Sequence, residues 1–362
     1  MVLTLLLSIF MGIVLFWKIP FCKSLAINSK LPQLSVIIPA RNEEVNLQVL
    51  LPSLLAQKMS IHEIIVVDDH SDDRTKWIAE KAGVKVLSLS SLPDGWMGKG
   101  WGCWKGAEEA TGNILLFLDA DTIMEQGGIT RLLEYYRKEG GILSLHPYHR
   151  MKRPYEFLSS MFHMVIMASI GAFHMFRSKT NSAGAFGQCL VCDREEYFKF
   201  DGHSAVKGEL LEHMAFGQHV IEQGGKVSCI SGKNVISMRM YPNGLVSLIY
   251  GWTKSFAKGA SATKLIYLFP IIIWINGLVT VSLQFVLIKE PVHLEVIVFF
   301  YGLFLLQWYW ILSRIGNFGW ISALLFPIHV MFFVLVFFSS FLKIFILRSV
   351  SWKGRTIQIK KE

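Results

Sequence analysis

The sequence predicts an α/β protein with a mainly parallel mixed sheet, flanked by N-terminal and C-terminal transmembrane helices. Three observations carry that expectation. Between residues 31 and 150, apolar runs of strand length alternate with helical patterns, as in a sheet covered by helices on both faces. Three of those runs end in charged clusters: 34–39 in Ala40-Arg41-Asn42-Glu43-Glu44, 63–67 in Asp68-Asp69-His70-Ser71-Asp72, and 114–118 in Asp119-Ala120-Asp121. The apolar excess, a mean hydropathy of +0.42 with 17% charged residues, sits at the two ends of the chain.

Residues 1–17 carry no side-chain charge and precede Lys18, Lys23 and Lys30. The stretch is near the short limit for a span, since about 20 residues cross a bilayer. It lacks the Lys or Arg that opens a signal peptide, so 1–24 reads as an anchor with its lysine side in the cytoplasm. The strands 34–39, 63–68, 84–89 and 113–118 are followed by helices near 43–58, 72–82, 104–110 and 128–138, with a Gly-rich loop before the third helix. Residues 157–176 are apolar but interrupted by His163 and His174, which fits either a span or a helix dipping into the interface. Residues 184–240 read as strand–helix–strand, with the helix around 209–223. Residues 243–263 mix Tyr250, Trp252 and Phe256 with Lys254 and Lys258, as in a helix lying in the headgroup layer. Residues 31–262 therefore form a cytoplasmic domain with interfacial segments.

The region 265–347 is membrane-like. Residues 265–288 are long enough to span, 294–312 nearly so, and 319–346, with Pro327 inside, are long for one span and short for two. The basic tail 348–362 belongs at the cytoplasmic face. Three full spans starting from the cytoplasm would leave that tail outside, so either 319–346 is a broken, re-entrant hairpin or the span count differs by one. The chain is thus expected to be a multi-pass cell-membrane protein.

Composition also excludes. The net charge of +9 is concentrated around the membrane segments, where anionic headgroups account for it, and no basic patch with interleaved aromatics points to nucleic acid. Five cysteines in a cytoplasmic setting argue against disulfides. Cys189 and Cys192 form a C-x-x-C inside an apolar run whose alternate residues face opposite ways, so they read as buried free thiols.

Ligands of open α/β sheets bind outside the carboxyl ends of the strands, and here three such ends carry carboxylates. Asp119 and Asp121, at i and i+2 after a buried strand, can bind a hard divalent cation that bridges to phosphates. Asp69 can accept hydrogen bonds from a nucleobase or a ribose, while Ser71 or Asp72 can cap the following helix. Lys99, in Trp96-Met97-Gly98-Lys99-Gly100, can place a charge on a diphosphate.

Together these clusters resemble the membrane-anchored inverting glycosyltransferases of family 2, which have a GT-A fold. The motifs P-A-R-N-E-E, V-V-D-D-x-S-x-D, G-W-x-G-K and L-D-A-D-T match in order and spacing over roughly residues 31–260. The resemblance implies a UDP-sugar donor and a divalent metal, Mn²⁺ or Mg²⁺. Pro39, Ala40, Arg41 and Glu43 would border the uridine, Asp69 would contact the uracil or ribose, and Lys99 would lie near the sugar or diphosphate. Asp119 would help hold the nucleotide, and Asp121 would be the main metal ligand. The chain departs from the family at the base motif. Where many relatives have Glu-Asp, it reads Gly208-Glu209-Leu210-Leu211-Glu212-His213, which leaves Glu212, His213 and then Glu209 as candidate bases.

That departure fits an acceptor that needs no base. A carboxylic acid is already ionised near neutral pH, whereas a hydroxyl is not. The late Glu-His-Met stretch and the apolar ends are similar to the bacterial carotenoid-acid glycosyltransferases. This implies transfer of one sugar, glucose, to a carotenoid carboxylic acid fed from the membrane in carotenoid biosynthesis, with 157–176 and 243–263 lining the entrance. Glycolipid or polyprenyl-phosphate acceptors, or a non-catalytic scaffold with a degenerate site, are the alternatives. The Q-x-x-R-W of processive polysaccharide synthases is missing at 250–258, which favours single transfer.

Overall fold

A computed structural model describes residues 1–362 apart from 24–31, 58–59, 178–181, 210, 262, 288–290, 343–348, 353–354 and 359–362. Lys30, Leu210 and half of the expected basic tail lie outside the described residues. The chain divides into two compact units, each drawn from separate stretches of sequence. One comprises Ile19–His149 and Ser178–Arg239; the other comprises Met1–Lys18, Arg150–Arg177 and Met240–Glu362.

The first unit is built on strands β1 (Leu34–Ala40), β2 (Glu63–Asp68), β3 (Lys85–Ser88), β4 (Ile114–Leu118), β5 (Thr122–Met124), β6 (Ile142–His146), β7 (Tyr148–His149), β8 (Cys189–Asp193), β9 (Val227–Ser231) and β10 (Ile236–Met238). Seven of them form one mixed sheet in the order β3-β2-β1-β4-β8-β6-β9. Neighbours in β3-β2-β1-β4 are parallel, β8 runs antiparallel to both β4 and β6, and β9 returns parallel to β6. A small second sheet has the order β5-β10-β7.

Strand periodicity decides which residue enters which core. Val36, Ile38, Val66, Leu116 and Cys189 pack on one face, and Ile37, Ile65, Val67, Phe117 and Cys192 on the other. The two cysteines of the C-x-x-C are thus buried on opposite faces, and all five cysteines are free. Both cores are closed by helices, as near-continuous apolar strands require. The third helix is longer than its pattern predicts, running Gly98–Glu109 rather than from residue 104. Its glycines lower helix propensity but permit close approach: a Cβ on Gly106 would lie 2.4 Å from Ile37 Cγ2, and one on Gly102 would lie 3.1 Å from Pro39 Cβ. That approach sets the helix N-terminus, with Lys99, over the ends of β1 and β2.

In the second unit, Leu265–Gln284 and Leu294–Ile315 are long and apolar enough to cross a membrane. The N-terminal helix Val2–Leu15 has 14 residues, about 21 Å against a ~30 Å hydrocarbon layer. It packs on the helix Leu265–Leu287, where Ser8 Oγ donates to the Ile273 carbonyl (2.8 Å), and on the helix Pro291–Ile315, from which Gln307 Nε2 donates to the Ile9 carbonyl (3.1 Å). Small residues allow the two helices to approach closely. A Cβ on Gly277 would meet Ser8 Cβ at 2.2 Å.

The stretch 157–176 is not a span. It contains a 3-10 turn, Pro154–Ser159, and a ten-residue helix, Ser160–Ser169, roughly half the length a crossing needs. Gly171, at φ +66, takes the left-handed conformation that terminates helices. The stretch 319–346 is broken as well, into Gly319–Leu324 and Phe326–Phe341, with Pro327 in the first turn of the second helix, where its missing N–H costs nothing. The expected interfacial segment forms the helix Leu245–Ser261. In the described part of the tail, Ser349–Trp352 pairs antiparallel with Arg355–Gln358.

Candidate active site

The loops after β1 and β2 are stapled to each other by side chains bonding the opposite backbone. The Asn42 N–H donates to Ser71 Oγ (3.0 Å), and the Asp72 N–H returns the bond to Asn42 Oδ1 (2.8 Å). The Glu43 N–H donates to Thr75 Oγ1 (2.7 Å), and the Glu44 N–H to Asp73 Oδ2 (3.1 Å). Asn42 itself sits at φ +57, a left-handed conformation that Asn tolerates better than most residues. Capping by Ser71 or Asp72 is therefore replaced. Ser71 accepts from Asn42, and Asp73 Oδ1 accepts the Thr75 N–H at the start of the next helix (2.9 Å). These bonds fix the two loops to each other.

Beside them opens a cavity of about 370 Å³ lined by Pro39, Ala40, Arg41, Glu43, Asp69, Lys99, Asp119 and Asp121, together with Val67, Gly98, Gly102 and Ala120. All the nucleotide- and metal-site residues expected from the sequence meet there. Arg41 Nη1 lies 3.7 Å from Asp69 Oδ2. On the other side of Asp69, His70 Nδ1 is 3.2 Å from Oδ1, and His70 Nε2 is 3.1 Å from the Ser90 carbonyl. The Asp69 carboxylate and the Ser90 carbonyl raise the His70 imidazole above its ordinary value.

Lys99 is the centre of the deeper half. Its Nζ lies 2.7 Å from Asp119 Oδ1, 2.7 Å from Glu212 Oε1 and 2.9 Å from the Gly187 carbonyl. Burial disfavours an ammonium, but Asp119 and Glu212 outweigh it and hold Lys99 above the usual lysine range. Burial alone would raise the Glu212 carboxyl. Its contacts with His213 and Lys99 reverse that and hold it well below the usual carboxylate range.

The Asp119 turn closes on its own carbonyl, which accepts from the Thr122 N–H (3.2 Å) and Thr122 Oγ1 (2.7 Å). Asp119 and Asp121 both face the cavity as a result. Burial among the lining atoms, then the Asp119 and Glu43 carboxylates, push Asp121 up to about 7. Because Asp121 remains open to solvent, the like charges are the weightier physical cause. Burial raises Glu43 as well, against a bond from Asn46 and with Asp119 and Asp73 adding to it. Glu43, Asp119 and Asp121 thus line one cavity with carboxylates, the hard oxygen donors that suit a divalent cation.

Of the candidate bases, Glu212 reaches the cavity's edge through Lys99. His213, 1% exposed, lies in the core with its ring against Phe117. Glu209 is exposed and does not line the cavity. Sequence reasoning gave no role to His70, nor to the Gly187 carbonyl. The first stands inside a charged cluster and was findable; the second is a backbone atom that no residue type announces.

A family model described as glycosyl transferase family 2 matches residues 35–198. Over 98% of its length the chain is 30% identical to 4,4'-diaponeurosporenoate glycosyltransferase of Staphylococcus aureus, covering 96% of that protein. It is 33% identical over 90% of its length to the enzyme of the same name from Staphylococcus haemolyticus, covering 89% of it. Among solved structures, a mannosyltransferase of Pyrobaculum calidifontis in complex with GDP-Man and Mn²⁺ superposes with a TM-score of 0.51 at 14% identity, over 90% of this chain and 94% of that one. Strand order, carboxylate-bearing strand ends and full-length likeness agree: the chain belongs to glycosyltransferase family 2 and is a glycosyltransferase with the GT-A fold.

Proposed function

We propose that this enzyme transfers one glucose from UDP-glucose to a carotenoid carboxylic acid, in a single displacement that inverts the anomeric carbon. The reading has Pro39, Ala40, Arg41, Glu43 and Asp69 holding the uridine, and Asp119 and Asp121 holding a divalent cation, Mn²⁺ or Mg²⁺. That cation, when bound, offsets the charge that grows on the departing diphosphate. Lys99 exchanges one of its carboxylate partners for a donor oxygen and keeps the other. An acceptor carboxylate oxygen attacks the anomeric carbon, and the electron pair of the breaking bond leaves with UDP.

The observation that carries the choice of acceptor is the Lys99–Glu212 pair at 2.7 Å. A carboxylate held well below its usual range is ionised but is a weak base. It would activate a hydroxyl poorly, and an acceptor that is already ionised asks nothing of it. The likeness to enzymes named for diaponeurosporenoate supports the same acceptor class. The multi-pass, cytoplasmic-facing arrangement is part of the proposal, supported by the two long apolar helices.

The test is a panel of acceptors (a carotenoid acid, a diacylglycerol and a polyprenyl phosphate) given to full-length protein in nanodiscs with UDP-glucose and Mn²⁺, with products read by mass spectrometry. A glucosyl ester of the acid alone is the expected result. Transfer only to the alcohol or the phosphate would discard the ester reading.

A further inference from the structure

The core of the first unit holds a second cluster of ligating side chains that the transfer reaction leaves unused. Cys103 lies on the helix Gly98–Glu109, His203 in the 3-10 turn Gly202–Val206, and His213 in the first turn of the helix Glu212–Glu222. Cys103 Sγ and one ring nitrogen of each histidine all lie within 4.8 Å of one another. The three residues are buried, at 0%, 0% and 1% exposure. His203 Nδ1 is 2.8 Å from the Tyr197 hydroxyl, which also accepts the His203 backbone N–H (3.0 Å). That leaves His203 Nε2, which has no hydrogen-bond partner, and His213 Nε2 has none either. Buried polar atoms are nearly always paired, so bare ring nitrogens on two histidines clustered with a thiol call for a cause.

We propose that Cys103, His203 and His213 are ligands of a structural metal ion, a borderline-soft divalent cation of which zinc is the best match. One thiolate and two imidazoles are a zinc donor set, chemically distinct from the all-oxygen cluster of Glu43, Asp119 and Asp121. Tyr197 plays the outer partner that orients a metal-bound histidine through its other nitrogen. Glu212, whose Oε1 lies 3.2 Å from His213 Nδ1, is placed as the outer partner of that histidine, on the ring nitrogen away from the ion. Burial holds His203 well below its usual value, so the ring is neutral, as a ligand must be. Burial raises the Cys103 thiol, whose proton leaves to solvent as the ion binds.

The placement gives the ion a purpose. Cys103 stands one helical turn beyond Lys99, and His213 is the neighbour of Glu212. An ion joining Cys103 to His213 therefore ties together the two helix starts that present the Lys99–Glu212 pair. The site would fix the spacing of those two groups, contact neither sugar nor acceptor, and leave the Asp121 cation in place.

The experiment is elemental analysis of the full-length protein, made in zinc-supplemented cells, purified in detergent without a metal-affinity step and dialysed against Mg²⁺. Wild type should retain about one zinc per chain. Cys103→Ala and His203→Ala should retain roughly a fifth of that or less, and Cys192→Ala, in the same core but outside the cluster, should match wild type. Cobalt-loaded wild type should show a thiolate-to-metal charge-transfer band that Cys103→Ala lacks. Wild type holding less than about a tenth of an equivalent, or a Cys103→Ala protein as rich in zinc as wild type, would overturn the proposal. The wild-type content decides it even if the variants do not fold.

Discussion

At the scale of single residues, the site works by charges that hold each other away from their ordinary values. Glu212 is held ionised by His213 and Lys99, and Lys99, half-buried, keeps its charge because two carboxylates face it. Glu212→Gln should therefore lower turnover on a carotenoid acid by less than about tenfold, whereas loss of a true general base costs roughly 10²–10⁴. A single-turnover assay on the ester product distinguishes the two. Asp121 makes a second prediction. With its carboxyl raised to about 7, Mn²⁺ must displace a proton at lower pH. Affinity measured by calorimetry should fall roughly tenfold per pH unit below about 7. The sign for stability is the reverse. A carboxyl raised in the folded state favours the metal-free fold at pH below its unfolded value, and that contribution fades as pH rises through about 7. The thermal shift on adding Mn²⁺ should accordingly grow with pH. Asp119, Asp121, Asp69 and Arg41 were legible in the sequence because each lies within three residues of the end of an apolar strand, a local signal. The Lys99–Glu212 pair was not legible, because it joins groups far apart in the chain through a fold that had yet to be built.

At the scale of elements, packing overrode propensity in two places. The glycines over 98–106 argue for a loop by propensity, yet they form a helix because their missing side chains let it lie against β1 and β2. Gly106→Leu would drive a side chain into Ile37 and Val67. Overpacking of this kind costs typically ~1–3 kcal/mol, so the melting temperature should drop by several degrees and UDP binding should weaken as Lys99 is displaced. Equal UDP affinity in a destabilised protein would show that the helix position does not set Lys99. The other place is 157–176, where hydropathy fits either a span or a helix dipping into the interface. A turn before it and the left-handed Gly171 behind it cut the helix to ten residues. Mean hydropathy measures how apolar a stretch is, and it is blind to where the backbone turns.

At the scale of the whole molecule, hydropathy orders the chain into anchor, domain, spans and tail, while its contacts group it otherwise. Residues Arg150–Arg177 join the terminal helices, and the unit carrying the cavity closes only with Arg239. That unit has its own sheet and its own two cores. Removing residues 1–17 should therefore spare UDP binding, measured by calorimetry, to within about threefold, since the sheet keeps its cores intact. Transfer to a lipid acceptor in nanodiscs should fall much further, because the helix that Ser8 bonds to loses its partner. Equal loss of both would count against a membrane-fed acceptor. The bond from Ser8 to Ile273 spans 265 residues, and that separation sets an order of events during synthesis. The first helix leaves the ribosome long before its partner exists. At about 5–20 residues per second, it waits some tens of seconds with its small-residue face lacking the partner it will have in the folded chain.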